Sequence, residues 1–132
     1  MSATKLDPIL DSGVLAIAVR VQGTTTTITP RGEWCFAEQS AARSTIQAAL
    51  ERTPETVVLD LSHLSFIDTS GMHDIMDLHE RSTQQSMRLV IIPGPRAVQR
   101  PFELLELTDK LPFLTGRTDL QTSAPRLQAR TI

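Results

Sequence analysis

Val57-Val58-Leu59-Asp60-Leu61-Ser62-His63-Leu64-Ser65-Phe66-Ile67-Asp68-Thr69-Ser70-Gly71-Met72 is the stretch on which the fold turns. Its first five residues form a short, nearly continuous apolar run, which reads as a strand covered on both faces, as in a sheet flanked by helices. Residues 65–68 read as a loop, and a helix is expected to start around Ser70 and Gly71. On that helix Met72, Ile75, Met76 and His79 fall at i, i+3, i+4 and i+7 and are expected to face inward. A buried strand feeding a helix through a polar loop is the repeating unit of an α/β fold.

Outward from this unit the pattern continues. Residues 14–21 are apolar and β-branched, Gln22-Gly23 makes a turn, and residues 24–29 form a second β-branched run, so the pair reads as a hairpin ended by Pro30 and Gly32. The consecutive threonines fit the alternating faces of a strand. Residues 37–52 predict a helix with Ala41, Ala42, Ile46, Ala49 and Leu50 on one stripe, and Pro54 marks its end. Residues 88–92 predict a fourth strand. Pro93-Gly94-Pro95 is a rigid turn, not a phosphate cradle, because two prolines remove N–H donors. A third helix is expected from Pro95 to about Leu107, with Val98, Phe102 and Leu105 inward and a kink or restart at Pro101. Residues 111–114 fit a short edge strand. The expected fold is α/β, a mixed sheet of four to five strands flanked by three to four helices. The domain is expected at residues 13–114, after a flexible segment at 1–12 and before a short helix or disordered tail at 115–132.

Composition narrows the function. The chain has 132 residues, 13 Lys+Arg against 15 Asp+Glu, and a formal charge of −2, so it lacks the basic footprint of a nucleic-acid or anionic-membrane binder. Aromatics make up 4%, with one Trp and no Tyr, too few for base-stacking platforms. The longest unbroken apolar stretch, residues 14–19, is far short of the roughly 20 residues a bilayer span needs. Ala16-Ile17-Ala18 mimics a signal-peptidase site, but Lys5 is the only base upstream and Asp7, Pro8 and Asp11 intervene, so no secretory leader is read here. The single Cys35 forms no internal disulfide. The expectation is a cytoplasmic protein without membrane insertion, nucleic acid or cofactor.

Chemistry concentrates at Asp68-Thr69-Ser70-Gly71. Small polar groups at a helix start meet unpaired N–H groups and the positive end of the helix dipole, where an added phosphate is stabilised. Asp, Ser and Thr are also the preferred helix caps, and Gly permits a tight turn. Capping needs only one of them, however, and three are present. Ser70 lacks the Gly-x-Ser-x-Gly frame of a hydrolase nucleophile, and Ser70 also breaks the Asp-Thr-Gly triplet of an aspartic protease. His73 and Asp77 are four apart and able to chelate, but exposed polar pairs at that spacing are common surface features. Asp74 suits the dipole in the first turn.

These residues in this order resemble the STAS domain of bacterial anti-sigma-factor antagonists, over roughly residues 14–114. The resemblance is carried by Val57-Val58-Leu59-Asp60-Leu61-Ser62, by Leu64-Ser65-Phe66-Ile67-Asp68-Thr69-Ser70-Gly71, and by Val98-Gln99-Arg100 with Phe102-Glu103-Leu104. It implies a phosphorylation-switched binding module, not an enzyme. Ser70 would be the phosphoacceptor of an anti-sigma factor that is also a serine kinase, with a serine phosphatase resetting it. Asp68, Thr69, Gly71, Met72, His73 and Glu33 would form the partner-binding surface, with Asp68 either aligning the hydroxyl or capping the helix. Phe36 and Leu78 are open between partner contact and ordinary surface. The chain departs from the family pattern at Trp34-Cys35 after Gly32-Glu33, at Met72-His73-Asp74, and at Pro101. Two other readings use the same domain: an unswitched STAS adaptor in a signalling or lipid-transport assembly, and a nucleotide or small-ligand sensor.

Overall fold

The structure, a computed structural model, describes residues 8–115. Strands β1 (Pro8–Asp11), β2 (Leu15–Gln22) and β3 (Thr25–Trp34) are followed by a 3-10 turn at Phe36–Glu38 and helix α1 (Gln39–Leu50). Then come β4 (Thr56–Asp60), β5 (Leu64–Ile67), α2 (Thr69–Gln84), β6 (Arg88–Ile92) and α3 (Arg96–Leu104). The strands make one mixed sheet in the order β1-β2-β3-β4-β6, with β5 beside β3. β1–β2 and β2–β3 are antiparallel, and the other pairs are parallel. Gln22 pairs with Thr25 around a two-residue loop in which Gly23 takes a positive φ of 64°, a conformation glycine adopts without cost. The parallel pairs need long crossovers, which α1 and α2 provide.

Strand β3 is the spine. Its first half, Thr25–Ile28, pairs with β4, and its last residues, Gly32–Trp34, pair with β5. Pro30 and Gly32 therefore do not end the strand as expected. Pro30 stays in register with Ile17, and Gly32 (φ 96°) absorbs a bulge where Val14's carbonyl approaches too closely for any Cβ. The extension carries Trp34 into the core.

One apolar cluster joins Ile17, Ile28, Leu59 and Ile91 of the sheet to Ala42, Ile46, Ala49 and Leu50 of α1 and to Met72, Ile75 and Leu78 of α2. Both helices thus cover the same sheet face. Ala18 and Val90 are buried outside this cluster, on the opposite face, and Val58 is only half-buried there. The expected two-sided helical cover of β4 is corrected accordingly: Val57 and Leu59 point to the helices, and Val58 is flanked by Thr27 and Val90 in the ladder.

Other expectations also change. Among the described residues the sheet has six strands, one more than the upper end of the expectation. Residues 8–11, expected to be flexible, form β1 against β2, with Leu10 packed on the core. Residues 65–67, read as part of a loop, belong instead to β5, whose buried-exposed-exposed-buried pattern breaks strict alternation at the bulge. Residues 111–114 contribute only an isolated bridge, Ile91 to Phe113, with Phe113 edge-on to Phe102 at 5.3 Å. The third helix passes through Pro101 without restarting, anchored by buried Val98 and Phe102. It ends at Leu104 because Glu106 turns left-handed (φ 57°), donating to Glu103 while Leu107 donates back to Phe102, a Schellman closure. Leu105 is left exposed. On α2 the inward stripe is Gly71, Met72, Asp74, Ile75, Leu78 and Ser82; Met76 is exposed and His79 half-buried. The expected tail lies outside the described residues beyond Thr115.

Candidate functional site

The site forms where the carboxyl ends of β3 and β5 meet the start of α2, the edge at which open α/β sheets commonly present ligand-contacting groups. Trp34 and Ile67 lie side by side in register, and the next residue, Asp68, donates its backbone N–H to the Trp34 carbonyl at 3.1 Å. Asp68 then turns the chain into α2. Its Oδ1 accepts from the Gly71 N–H at 3.1 Å, and its Oδ2 accepts from the Phe36 N–H at 3.0 Å. Both carboxylate oxygens are thus committed to holding backbone. Of the two roles open in the sequence, Asp68 fills the cap, and it also ties the β3–α1 connection to the helix start.

Gly71 is required by packing. A Cβ here would lie 2.7 Å from Ile67 Cγ1 and 2.8 Å from the Trp34 carbonyl oxygen. The first turn of α2 is therefore pressed directly onto the strand ends. Gly71 is buried and Met72 is only 2% exposed, so neither can meet a partner and both leave the expected binding surface. They are core residues. Thr69, His73 and Glu33 are exposed, and Glu33 pairs with the 46%-exposed Phe66. Phe36, tethered through Asp68, is 72% exposed. Leu78, left open earlier, is buried.

Ser70 occupies the second position of the helix and is half-buried. Among the described residues its hydroxyl has no hydrogen-bond partner and is not sealed from solvent. The first intrahelical bond is that from Met72 N to Asp68 O, so the Thr69 and Ser70 N–H groups precede the helical ladder, as first-turn donors do. An anion on Ser70 would sit among such donors at the positive end of the dipole.

Asp74, one turn further on, was not singled out in the sequence as more than a first-turn acid. It is 3% exposed and accepts three side-chain bonds. Trp34 Nε1 donates to its Oδ2 at 3.0 Å, while Gln39 Nε2 at 3.1 Å and Arg43 Nε at 2.8 Å donate to its Oδ1. Gln39 also donates to the Ser70 carbonyl at 3.3 Å. The hydrogen bond to Asp74, then its negative charge, raises the Arg43 pKa above the usual guanidinium value, and Asp77 adds to this. Trp34 and Asp74, which stand apart in the sequence, therefore form one buried contact. A signal existed in the sequence: a lone buried Trp needs an acceptor for its N–H, and Asp74 lies on the stripe of Gly71, Ile75 and Leu78.

Among the described residues no cluster of three or more His, Cys, Asp or Glu is placed to hold a metal ion, and no helix is long and apolar enough to cross a membrane.

Among solved structures, an anti-sigma factor antagonist from Mycobacterium paratuberculosis is 19% identical, with 87% of this chain matched to 97% of that one at a TM-score of 0.75. The anti-sigma factor antagonist SpoIIAA in its unphosphorylated form is 18% identical, with 89% matched to 98% at 0.66. The Bacillus cell fate determinant SpoIIAA in its phosphorylated form is 18% identical, with 81% matched to 98% at 0.60. At these identities the likeness shows a shared fold. No curated protein matches the sequence. The STAS domain profile matches residues 16–121, which takes in the whole sheet from β2 onward, all three helices and the Asp68–Gly71 junction: the chain belongs to the STAS domain family.

Proposed function

We propose that this protein is an anti-sigma-factor antagonist, a cytoplasmic, non-enzymatic binding module switched by phosphorylation of Ser70. The observation that carries the reading is the free Ser70 hydroxyl on a capped helix start, pressed onto the sheet by Gly71 and ringed by exposed Thr69, His73, Glu33 and Phe36. The similar SpoIIAA exists in unphosphorylated and phosphorylated forms on the same fold, which supports a switch without refolding. Unmodified, this surface binds an anti-sigma factor with serine kinase activity and so releases a sigma factor; a serine phosphatase restores the unmodified state. Phosphorylation adds about 1.5–2 negative charges at the centre of the contact. The helix start holds them in the free protein, but burial in an interface exacts desolvation. A loss of about 3–4 kcal/mol lowers affinity some hundred- to thousandfold, enough to switch binding off.

The test is a pull-down from the native host with wild-type and Ser70→Asp protein, read by mass spectrometry, alongside incubation with the captured kinase and ATP. The switch predicts an anti-sigma kinase retained by wild type, lost by Ser70→Asp, and one phosphate added that Ser70→Ala abolishes. An unswitched adaptor would keep the same partner in both forms and gain no phosphate. A ligand sensor would instead show a thermal shift with GTP or fatty acid in the isolated protein.

A further inference from the structure

We infer that the far end of α2 carries a second binding site, a cavity that takes a small organic monocarboxylate with an apolar body. The inference stands apart from Ser70 and does not depend on its phosphorylation. Helix α2 closes through Ser86, which is left-handed at φ 60°. The Ser86 N–H donates to the Thr83 carbonyl at 3.3 Å, and the Met87 N–H donates back to the Ser82 carbonyl at 2.8 Å. This turn leads into β6 and leaves a cavity of about 390 Å3 between the last turn of the helix and the start of the strand.

Ser82 points to a ligand there. It follows Leu78 by one turn on the sheet-facing stripe, borders the cavity beside Met87 and Leu89, and is only 1% exposed. Among the described residues its Oγ has no hydrogen-bond partner. The adjacent Thr83 satisfies its hydroxyl on the His79 carbonyl, one turn back, at 3.0 Å; Ser82 makes no such bond to Leu78. A buried hydroxyl without a partner is costly, and native proteins rarely leave one. The cavity is also far larger than the single water that would satisfy it needs.

The lining selects the ligand. Met87 and Leu89 are buried and give the cavity an apolar floor. The last carbonyls of α2, on Arg81, Ser82 and Thr83, already accept backbone bonds. No carboxylate side chain borders the cavity, whereas the half-buried Arg88 does, and among the described residues Arg88 has no ion pair. One guanidinium at the rim favours an anion, while the negative end of the α2 dipole disfavours a doubly charged one such as phosphate. A monocarboxylate meets both conditions. Its oxygen accepts from the Ser82 hydroxyl, its charge is balanced from the rim, and its body lies on Met87 and Leu89.

The test titrates benzoate, a rigid monocarboxylate, into the full chain and follows backbone amides by 1H–15N NMR. Saturable shifts are expected at Ser82, Thr83, Met87 and Leu89, half-complete at or below about 1 mM, with none at Ser70 or Gly71. Ser82→Ala deletes an unpartnered buried hydroxyl, so it is expected to be at least as stable as wild type and to bind benzoate about tenfold more weakly. Arg88→Gln is expected to bind severalfold more weakly, as is benzamide, which has the same shape without the charge. Inorganic phosphate is expected to leave these amides unmoved. No saturable shift at concentrations about tenfold higher would overturn the inference. So would undiminished binding in Ser82→Ala or Arg88→Gln, equal binding of benzamide, or the same shifts with phosphate. A Ser82→Ala protein that is clearly less stable or does not fold would show that the hydroxyl already has a partner within the fold, which overturns it as well.

Discussion

The two sides of the first turns of α2 use the same residue types for opposite ends. Toward solvent the helix presents Thr69, His73 and Asp77; toward the sheet it presents Gly71, Asp74, Ile75 and Leu78. Asp68 and Asp74 are both carboxylates that accept several hydrogen bonds. Asp68 sits at the rim and binds backbone N–H groups, whereas Asp74 is sealed and binds side chains from β3 and α1. In water a lost hydrogen bond is replaced by solvent, and inside the protein it is not. The outer side can therefore vary at little structural cost, while the inner side fixes where Ser70 stands.

The strongest way to break this contrast is Asp74→Ala. It strands Trp34 Nε1 in the core and removes the acceptor shared by Gln39 and Arg43. Removing one member of a buried charged network costs about 3–5 kcal/mol. Arg43 stays half in solvent and is not stranded, so about 3 kcal/mol is expected by urea unfolding. Asp74→Asn should cost about 2 kcal/mol, because its single acceptor oxygen leaves an amide N–H facing another donor. A loss below about 1 kcal/mol in both variants would mean that the inner side is no more demanding than the outer. Arg43 is expected to keep its charge, and its contribution to stability, throughout the neutral and mildly alkaline range. A guanidinium pKa raised above its ordinary value gives stability that is present below that ordinary value and lost only as pH rises through the folded pKa.

How much of this was legible depends on whether a feature is local. The β2–β3 hairpin, β4, α2 and the helix-start chemistry at Asp68–Gly71 show in spacing and residue type because neighbours along the chain create them. The partners of Asp74 are 40, 35 and 31 residues away, so no window contains the contact. The face of α2 was misjudged because Met76 is as apolar as Leu78 and His79 falls at the same helical spacing, while the small Gly71, which lets the helix press onto Trp34, carries no hydrophobic weight. β5 was hidden by its bulge, and β1 by four residues in a polar context. Asp68 was legible as a cap, but its second bond, to Phe36 32 residues back, was not. Asp68→Ala sharpens this point. Loss of the cap alone costs about 1 kcal/mol, and the freed Phe36 N–H is exposed to water, so about 1–1.5 kcal/mol is expected by urea unfolding. A cost above 2.5 kcal/mol would place Asp68 with the inner side.

The smallest structural effect is expected at Ser70, the residue on which the proposed switch depends. Ser70→Ala removes a hydroxyl with no protein partner among the described residues and substitutes a better helix former, so stability should stay within about 0.5 kcal/mol of wild type. Ser70→Asp places a negative charge at the second helical position, where the dipole favours it by about 0.3–1 kcal/mol, offset by repulsion from Asp68 and Asp74. Its melting temperature should therefore lie within a few degrees of wild type by calorimetry, roughly 1 kcal/mol for a domain of this size. Near-equality of the three melting curves is what a binding switch requires, because a modification that unfolded its carrier would abolish every contact indiscriminately. A melting temperature depressed by more than about ten degrees in Ser70→Ala would show that the hydroxyl holds the fold together, and the contrast between the two sides of α2 would fail at the position where it is most needed.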